Sequence, residues 1–239
     1  MNKSPSDLKF SMPLYTISEA ATALGVPCST FHTWVKGYER NRQNRTPVKG
    51  DPIVTSIKTK KRGPSIPFVG LAEGMVLAAI RRGGVPMQRI RPAILQLAEE
   101  IGVEHALASK NLFTDGAELL YDYARRNPGE ESDTIRELVV VRNQQRVFVP
   151  VVAEYLKRVE YGSDGYAKLI RLPGYDGADV IADPNRAFGQ PIFTRGAAPV
   201  RIVLERFWAG ETIDTLTNEF GIPPMEIEDV LRAASRQAA

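Results

Sequence analysis

Five small or basic residues near the amino terminus have the chemistry to hydrogen-bond a nucleic acid. They carry hydroxyl, imidazole and ammonium groups, and they are Ser29, Thr30, His32, Thr33 and Lys36. Hydroxyl and imidazole groups can bond to base edges in the major groove of DNA, and an ammonium group can bind a backbone phosphate. A helix over these residues would place all five around its outward surface. We interpret them as a candidate DNA-contacting group.

The surrounding sequence predicts a helix-turn-helix that would position these side chains. Thr16 is a candidate N-cap, and Glu19 three positions later completes a capping box. Gly25 ends the first helix because glycine adopts a left-handed conformation without steric cost, and Pro27 helps to begin the second. The predicted buried stripes are Ile17, Ala20, Ala21 and Leu24 on the first helix and Phe31, Trp34, Val35 and Tyr38 on the second.

Two basic segments follow the predicted recognition helix. The first is the run KGYERNRQNR, which could line a phosphate backbone. The second, Asp51–Val69, is predicted to be a hairpin with strands Pro52–Ile57 and Ile66–Val69, which is typical of a wing that contacts the backbone or minor groove. The candidate phosphate contacts are Arg40, Arg42 and Arg45 in the first segment and Lys58, Lys60, Lys61 and Arg62 in the second.

The distribution of charge favours a polyanionic partner. Residues 1–62 contain eleven Lys and Arg against four Asp and Glu, a charge of +7. The whole chain carries +3, so the remainder carries −4. A basic segment on an acidic body indicates nucleic-acid binding, although a solvated basic loop would have the same composition.

Composition also excludes several classes of function. No uncharged apolar run approaches the roughly 18 residues of a membrane helix, and MNKSPSDLKF lacks the apolar core of a signal peptide, so we expect a cytoplasmic protein. Cys28 is the only cysteine, and Cys28 and His32 with His105 make too few ligands for a usual zinc site. We therefore predict no metal, no cofactor and no histidine-based catalysis, and we expect a protein that is not an enzyme.

The middle of the chain predicts two helices joined at Gly83-Gly84. In the second helix an apolar series steps by three and four residues, as in a coiled coil, although Pro92 interrupts the hydrogen bonding. The series is Met87, Ile90, Ile94, Leu97 and Ile101, and it could be either core packing or a dimer seam. Because a dimer doubles the half-site contacts of a DNA reader, we expect a homodimer.

The next part of the chain predicts a boundary and short elements. Leu138–Val141 is predicted to be a buried strand, Val149–Leu156 a short helix, and the run RVEYGSDGYAKLIRL a hairpin around Asp164-Gly165. The composition of Arg125–Ser132 favours a linker. We predict a domain over residues 1–125, with a winged helix-turn-helix and the following helices, and a second over residues 133–239.

The carboxyl-terminal part repeats the helix-turn-helix pattern. TIDTLTNEFGIP, Thr212–Pro223, matches TISEAATALGVP, Thr16–Pro27, in its cap, apolar and turn positions. We predict three helices, which begin at Pro199, after the cap Thr212, and at Pro223-Pro224. The predicted inner faces are Val200, Val203, Leu204, Phe207 and Trp208 on the first helix and Ile227, Val230, Leu231 and Ala234 on the third.

The outward face of this second unit has the opposite charge. Glu226, Glu228 and Asp229 occupy the positions that would face DNA, and three carboxylates would be repelled by phosphates. We therefore favour a protein-binding or dimerising module over a second DNA contact. The predicted fold class is mainly α with small β elements, an N-terminal winged helix-turn-helix followed by a C-terminal three-helix unit of helix-turn-helix type.

Two parts of the chain resemble known bacterial families. Residues 15–69 resemble the winged helix-turn-helix of MerR type. The run IADPNRAFGQPIF, Ile181–Phe193, followed by the helix junction at Gly210-Glu211-Thr212-Ile213, is similar to a small domain found in antitoxins of type II toxin–antitoxin pairs. The combination resembles the VapB-like antitoxins. The resemblance implies a dimer that represses its own promoter and neutralises a cognate PIN-type RNase toxin by direct binding, with the carboxyl-terminal domain serving dimerisation or toxin binding.

Two other functions remain open at this point. One is a MerR-like transcriptional regulator or nucleoid-partitioning protein without a toxin partner. The other is an enzyme with a nucleic-acid-binding head, in which Asp176, Asp179 and Asp183 would hold Mg²⁺. These acids lie among Gly and Pro, so solvation in a loop explains them equally well.

Overall fold

The computed structural model of the chain describes residues 5–42, 45–59, 63–142, 145–175 and 177–238. The predicted fold class is confirmed, because helices dominate this part of the chain and the sheets are small. The helices are α1 (Pro5–Ser11), α2 (Ile17–Leu24), α3 (Cys28–Lys36), α4 (Phe68–Arg82), α5 (Met87–Ile101), α6 (Lys110–Arg126), α7 (Glu130–Arg136), α8 (Pro150–Leu156), α9 (Val200–Trp208), α10 (Ile213–Phe220) and α11 (Pro224–Ala238). The strands are β1 (Tyr38–Arg42), β2 (Arg45–Gly50), β3 (Val139–Arg142), β4 (Gln145–Phe148), β5 (Val159–Tyr161), β6 (Ala167–Arg171), β7 (Val180–Ala182) and β8 (Ile192–Phe193).

Helices α2 and α3 form the predicted helix-turn-helix. The hydroxyl of Thr16 accepts from the N–H of Glu19 at 3.2 Å, and the Glu19 carboxylate accepts from the N–H of Thr16 at 2.8 Å, which completes the capping box. Gly25 ends α2 in the left-handed region at φ 65°. The buried stripe of α3 is Phe31, Trp34 and Val35. Tyr38 was predicted on that stripe but instead begins β1, because Gly37 ends the helix.

The antiparallel hairpin β1–β2 follows α3 directly. The predicted position of the wing, in Asp51–Val69, is therefore wrong. Pro52–Ile57 and Ile66–Val69 are not paired strands. The N–H groups of Ile53 and Val54 both donate to the carbonyl of Trp34, at 2.8 and 3.1 Å, so this apolar run covers the end of α3. Pro67 caps α4, which takes up Phe68 and Val69.

Helix α4 is the centre of the molecule, because every described residue from Phe68 to Ile80 is buried. It packs against α2, α1 and α8. Gly74 allows the close approach of the helix-turn-helix, since a Cβ at this position would lie 2.6 Å from the Phe31 ring and 2.7 Å from Leu24. Helix α5 packs on α6, and Ile94 and Leu97 of the predicted seam are buried within this chain. Core packing therefore accounts for these two seam residues.

The middle of the chain contains the predicted short elements with one correction. The helix α8 and the hairpin β5–β6 are confirmed, and β7 and β8 extend that hairpin to a four-stranded antiparallel sheet. The strand near Leu138–Val141 exists as β3, but it is not buried throughout, because Val141 is 69% exposed in the two-stranded hairpin β3–β4. Helices α6 and α7 occupy most of the predicted linker and leave Asn127–Gly129 between them. The division into residues 1–125 and 133–239 stays a prediction.

The carboxyl-terminal unit has the three predicted helices, α9 to α11. Thr212 caps α10, and Gly221 ends it at φ 66°. Ile227 and Val230 of α11 are fully buried, whereas Trp208, predicted on the inner face of α9, is 64% exposed because it lies in the last turn of that helix. Helix α11 also contacts α2 and the turn Pro173–Tyr175. Among the described residues, no helix combines the length and the apolar character that a bilayer crossing requires.

Candidate nucleic-acid interface

Helix α3 presents three of the predicted DNA-contacting side chains to solvent. Its buried residues anchor one side against the core, and Ser29, His32 and Lys36 are exposed along the opposite side. Thr30 and Thr33 are half-buried at one edge of this stripe, and the Thr33 hydroxyl donates to the carbonyl of Thr30 at 2.7 Å. Short polar groups beside a basic residue are the types that read base edges and hold phosphates.

A basic hairpin begins two residues after α3. Its strands carry Arg40, Arg42 and Arg45, and Arg42 pairs with Arg45 in the strand register. The side chains of these three arginines lie outside the described part of the structure. The hairpin is anchored by a close approach of Gly37 to Gly50, where a Cβ on Gly37 would collide with the Gly50 carbonyl.

The second basic segment is a loop beside the head. The N–H of Ile57 donates to the carbonyl of Ser65 at 2.8 Å, and the predicted strands on either side are not formed. Lys58 is exposed in this loop. Lys60, Lys61 and Arg62 lie outside the described residues.

Arg91 of α5 connects α3 to the segment that follows β2 through hydrogen bonds to both. Its side chain is buried, at 5% exposure. One terminal nitrogen, Nη1, donates to the carbonyl of Asp51, and Nη2 donates to the carbonyl of Thr33 at 3.3 Å. The guanidinium lies 5.3 Å from the centre of the Tyr38 ring. Burial lowers the pKa of Arg91, and the charges of Tyr38 and Asp51 act in the opposite direction.

Clefts flank the two edges of α3, and each is lined by arginine. The cleft of about 410 Å³ on the Thr30 and Thr33 edge contains Arg81 and Arg91. The cleft of about 550 Å³ on the Cys28 edge contains Arg82 and Arg236. These arginines were missed at the sequence level. The signal available was the pair Arg81-Arg82 directly before Gly83-Gly84, where a helix ends beside the reading head.

The second helix-turn-helix uses its acids within the chain. Glu226, predicted to be outward, is only 9% exposed, because its carboxylate accepts from the N–H of Asp179 at 3.3 Å. Glu228 and Asp229 both pair with Arg232, at 3.0 and 2.7 Å. The outward face is therefore less acidic than predicted, because Arg232 compensates Glu228 and Asp229.

Two of the three aspartates that the enzyme alternative would use as magnesium ligands have other partners. Asp179 pairs with Arg171 at 2.8 Å, and a carboxylate oxygen of Asp183 accepts from the N–H of Asn185 at 2.8 Å. Asp176 lies outside the described residues. Within the described chain, no three His, Cys, Asp or Glu side chains are grouped closely enough to hold a metal ion, Cys28 and His32 included.

Comparison with known proteins agrees with this geometry. Residues 13–94 match the family model described as "Putative DNA-binding HTH domain". The chain is 43% identical over 230 residues to a protein of Mycobacterium tuberculosis named "Putative antitoxin VapB45". The alignment covers 95% of this chain and 96% of that protein. It is 28% identical over 226 residues to the uncharacterised protein Rv2308 of the same organism, covering 91% and 88% of the two chains.

A solved structure shows the same fold over nearly the whole length. The crystal structure of Rv2018 from Mycobacterium tuberculosis matches with a TM-score of 0.79 at 40% sequence identity. The match covers 94% of this chain and 99% of that chain. The arrangement of the amino-terminal helix-turn-helix unit (the head, α2–α3) and the carboxyl-terminal three-helix unit (the tail, α9–α11) is therefore shared with a protein of known structure.

Proposed function

Because the chain belongs to the VapB-like antitoxin family that includes VapB45, we propose that it is a DNA-binding antitoxin. It represses its own promoter as a homodimer and neutralises a PIN-type RNase toxin by direct binding. The observation that carries the DNA-binding part is the exposed stripe Ser29, His32 and Lys36 on α3, followed at once by a basic hairpin. The match to VapB45 over 95% of this chain supports the antitoxin part.

In this proposal α3 lies in the major groove of the operator. Ser29 and His32 face base edges, and Lys36 faces the backbone near the carboxyl end of the helix. Thr30 and Thr33 contribute to sequence preference from the edge of the stripe. The phosphate contacts outside α3 are Arg40, Arg42 and Arg45 of the hairpin, which takes the place of the wing of MerR type, and Lys58, Lys60, Lys61 and Arg62 of the loop.

The carboxyl-terminal unit serves protein binding or dimerisation in this proposal. It keeps the apolar framework of the first helix-turn-helix, with Ile227 and Val230 buried where α3 buries Phe31 and Trp34. Its third helix pairs Glu228 and Asp229 with Arg232, so these charges compensate one another. A unit of this charge gains little from phosphates and leaves its surface for a protein partner.

The DNA-binding part is tested by binding to the DNA upstream of the protein's own gene, measured across salt concentrations. We expect Lys36→Ala with Arg40→Ala to weaken binding to every sequence at least about tenfold at low salt, since each lost phosphate contact removes a charge-assisted hydrogen bond. The slope of log affinity against log salt should fall by about 2. The matched control is Lys157→Ala with Lys168→Ala, which removes two exposed lysines of the carboxyl-terminal half.

The same assay separates affinity from sequence preference. Thr30→Ala or Thr33→Ala should reduce the ratio between operator and unrelated DNA and leave the salt slope unchanged. Equal binding by the Lys36 and Arg40 double variant and by the wild type would show that α3 is not the recognition helix.

The antitoxin part is tested by asking whether a neighbouring gene encodes a PIN-type nuclease and by mixing that nuclease with the protein. We expect the two proteins to copurify and RNA cleavage to stop once the antitoxin is equimolar with the nuclease. A nuclease that stays active beside a protein that still represses its promoter would favour the regulator without a toxin partner.

A further inference from the structure

The cleft on the Thr30 and Thr33 edge of α3 has the lining of an anion site. Arg81, Arg91 and the two threonines line its space of about 410 Å³, together with Trp34, Tyr38, Val85, Pro86 and Met87. No Asp or Glu is among the described residues that line it. A concave surface with cationic and hydroxyl groups and without carboxylates attracts an anion.

The positive charge of Arg91 is poorly balanced within the chain. Its Nη1 and Nη2 atoms donate to neutral carbonyl oxygens, and Nε is buried without a hydrogen-bond acceptor among the described residues. In the described part of the structure, the Asp51 carboxylate forms no salt bridge with Arg91 and acts on it only from a longer distance. Burial lowers the pKa of Arg91. A buried cation is costly unless an opposite charge lies nearby, so an anion that enters the cleft is favoured.

Arg81 supplies a cation at the mouth of the same cleft. It is exposed in the last turn of α4 and makes no hydrogen bond or ion pair with any described residue. The carbonyl of Ala79 in the last turn of α4 has a backbone partner, because it accepts from the N–H of Gly83 at 3.2 Å. The Arg81 side chain is therefore available to a ligand.

The cleft lies where the edge of a DNA major groove would run. A helix with its side chains is about 10–12 Å wide and the major groove is about 12 Å wide, so a helix in the groove has phosphates along its edges. Thr30 and Thr33 follow the exposed Ser29 and His32 by one residue, or about 100° around the helix axis. They therefore form one of those edges.

We propose that Arg81, with the charge of Arg91 behind it, binds a backbone phosphate of DNA beside the recognition helix. The proposal rests on the proposed DNA-binding function and adds a contact from α4, outside the helix-turn-helix and the hairpin. Arg91 is a positioning residue, since its donors hold α3 and the chain after β2. Arg81 is the residue that touches the phosphate.

The test compares Arg81→Ala with Arg125→Ala in the full-length protein on the upstream DNA. Arg125 is a matched control, because it is also an exposed arginine in the last turn of a helix. We expect Arg81→Ala to lower the slope of log affinity against log salt by about 0.9 and to keep the preference for operator over unrelated DNA. The advantage of the wild type over the variant should therefore shrink about threefold between 50 and 200 mM salt.

A neutral methylphosphonate placed in turn at each backbone position of the operator locates the contact. One position should weaken the wild type and the Arg125 variant, and it should have no further effect on Arg81→Ala. Equal slopes for the Arg81 and Arg125 variants, while the wild type still binds its operator, overturn this site and leave the proposed function intact. A wild type that does not bind the upstream DNA overturns both.

The same titration distinguishes DNA phosphate from free phosphate. Inorganic phosphate should compete no better than sulfate at equal ionic strength if the site belongs to the DNA backbone. Specific competition by phosphate that is lost in Arg81→Ala, with unchanged DNA slopes, would identify a small-anion site and contradict the proposal. Unchanged thermal midpoints of both variants establish that the differences arise from binding.

Discussion

A buried carboxylate and a histidine make a pH-sensitive contact in the described core. Glu73 of α4 accepts from the N–H of Thr55 at 2.5 Å and from the Thr55 hydroxyl at 2.9 Å. Nδ1 of His105 lies 3.2 Å from Glu73, and the imidazole stacks on Phe10 with ring centres 5.3 Å apart. The hydrogen bond to Glu73 raises the pKa of His105 above its ordinary value, with a smaller contribution from the charge of Glu104.

This contact should make the protein more stable on the acid side of neutrality. A raised pKa means that the folded state binds the proton more tightly, so the contribution is complete below the unfolded value of about 6.5 and is lost as pH rises through the folded value. We expect the urea midpoint of the wild type to fall more between pH 6 and pH 8.5 than that of His105→Gln. Parallel profiles for the two proteins would show that the pKa of His105 is the same in the folded and unfolded states.

Element by element, local signals in the sequence predicted the helix-turn-helix and misplaced the wing. Thr16, Glu19 and Gly25 act through contacts within a few residues, so their pattern is visible without a fold. The strands β1 and β2 lack the apolar alternation of a half-buried sheet, and the β-prone Ile53 and Val54 instead cover the end of α3. The arginines of the clefts were missed because they lie on α4, α5 and α11, far from α3 in sequence.

The packing of α4 against the helix-turn-helix depends on Gly74. In a helix, Gly→Ala gains about 1 kcal/mol of intrinsic propensity. Here the added methyl would enter the space of Phe31 and Leu24, which are both fully buried, and such overpacking costs about 1–3 kcal/mol. We expect Gly74→Ala to lower the free energy of unfolding by about 1 kcal/mol and to weaken operator binding, since α3 must shift.

Gly116→Ala in α6 is the control for that substitution. Its nearest neighbours are side-chain atoms of Leu112 at 3.1 Å and Phe148 at 3.3 Å, which need to move only a few tenths of an ångström. Chemical denaturation should therefore place this variant close to the wild type. A stable Gly74→Ala variant with the full affinity for the operator would show that α4 and α3 accommodate the added methyl group without a shift of α3.

On the scale of the whole molecule, the two helix-turn-helix units belong to one continuous core. Buried apolar residues form a single cluster that runs from Tyr15 in the head to Ala233 in the tail. Sequence patterns predicted both units but not their contact, because the repeat and the composition of Arg125–Ser132 are local features. The packing of α11 against α2 is set by the complete fold.

The two tryptophans allow this continuity to be tested. Trp34 is buried in the head, and Trp208 is exposed in the tail. In Trp208→Phe, the fluorescence of Trp34 reports the head alone, while far-ultraviolet circular dichroism reports all helices. We expect the two signals to change at the same temperature, as for one cooperative unit. A head that melts at a different temperature from the bulk of the helices would support independent domains at residues 1–125 and 133–239.

Gly174 lies in the turn that packs against both α2 and α11. A Cβ at this position would overlap the carbonyl of Thr22 in α2, so the main chain of the Pro173–Tyr175 turn rests on the main chain of the reading head. No compliant side chain stands between them to absorb a displacement. If a partner bound to the carboxyl-terminal unit changes the affinity of the protein for its operator, thermodynamic linkage requires the operator to change the affinity for that partner by the same factor.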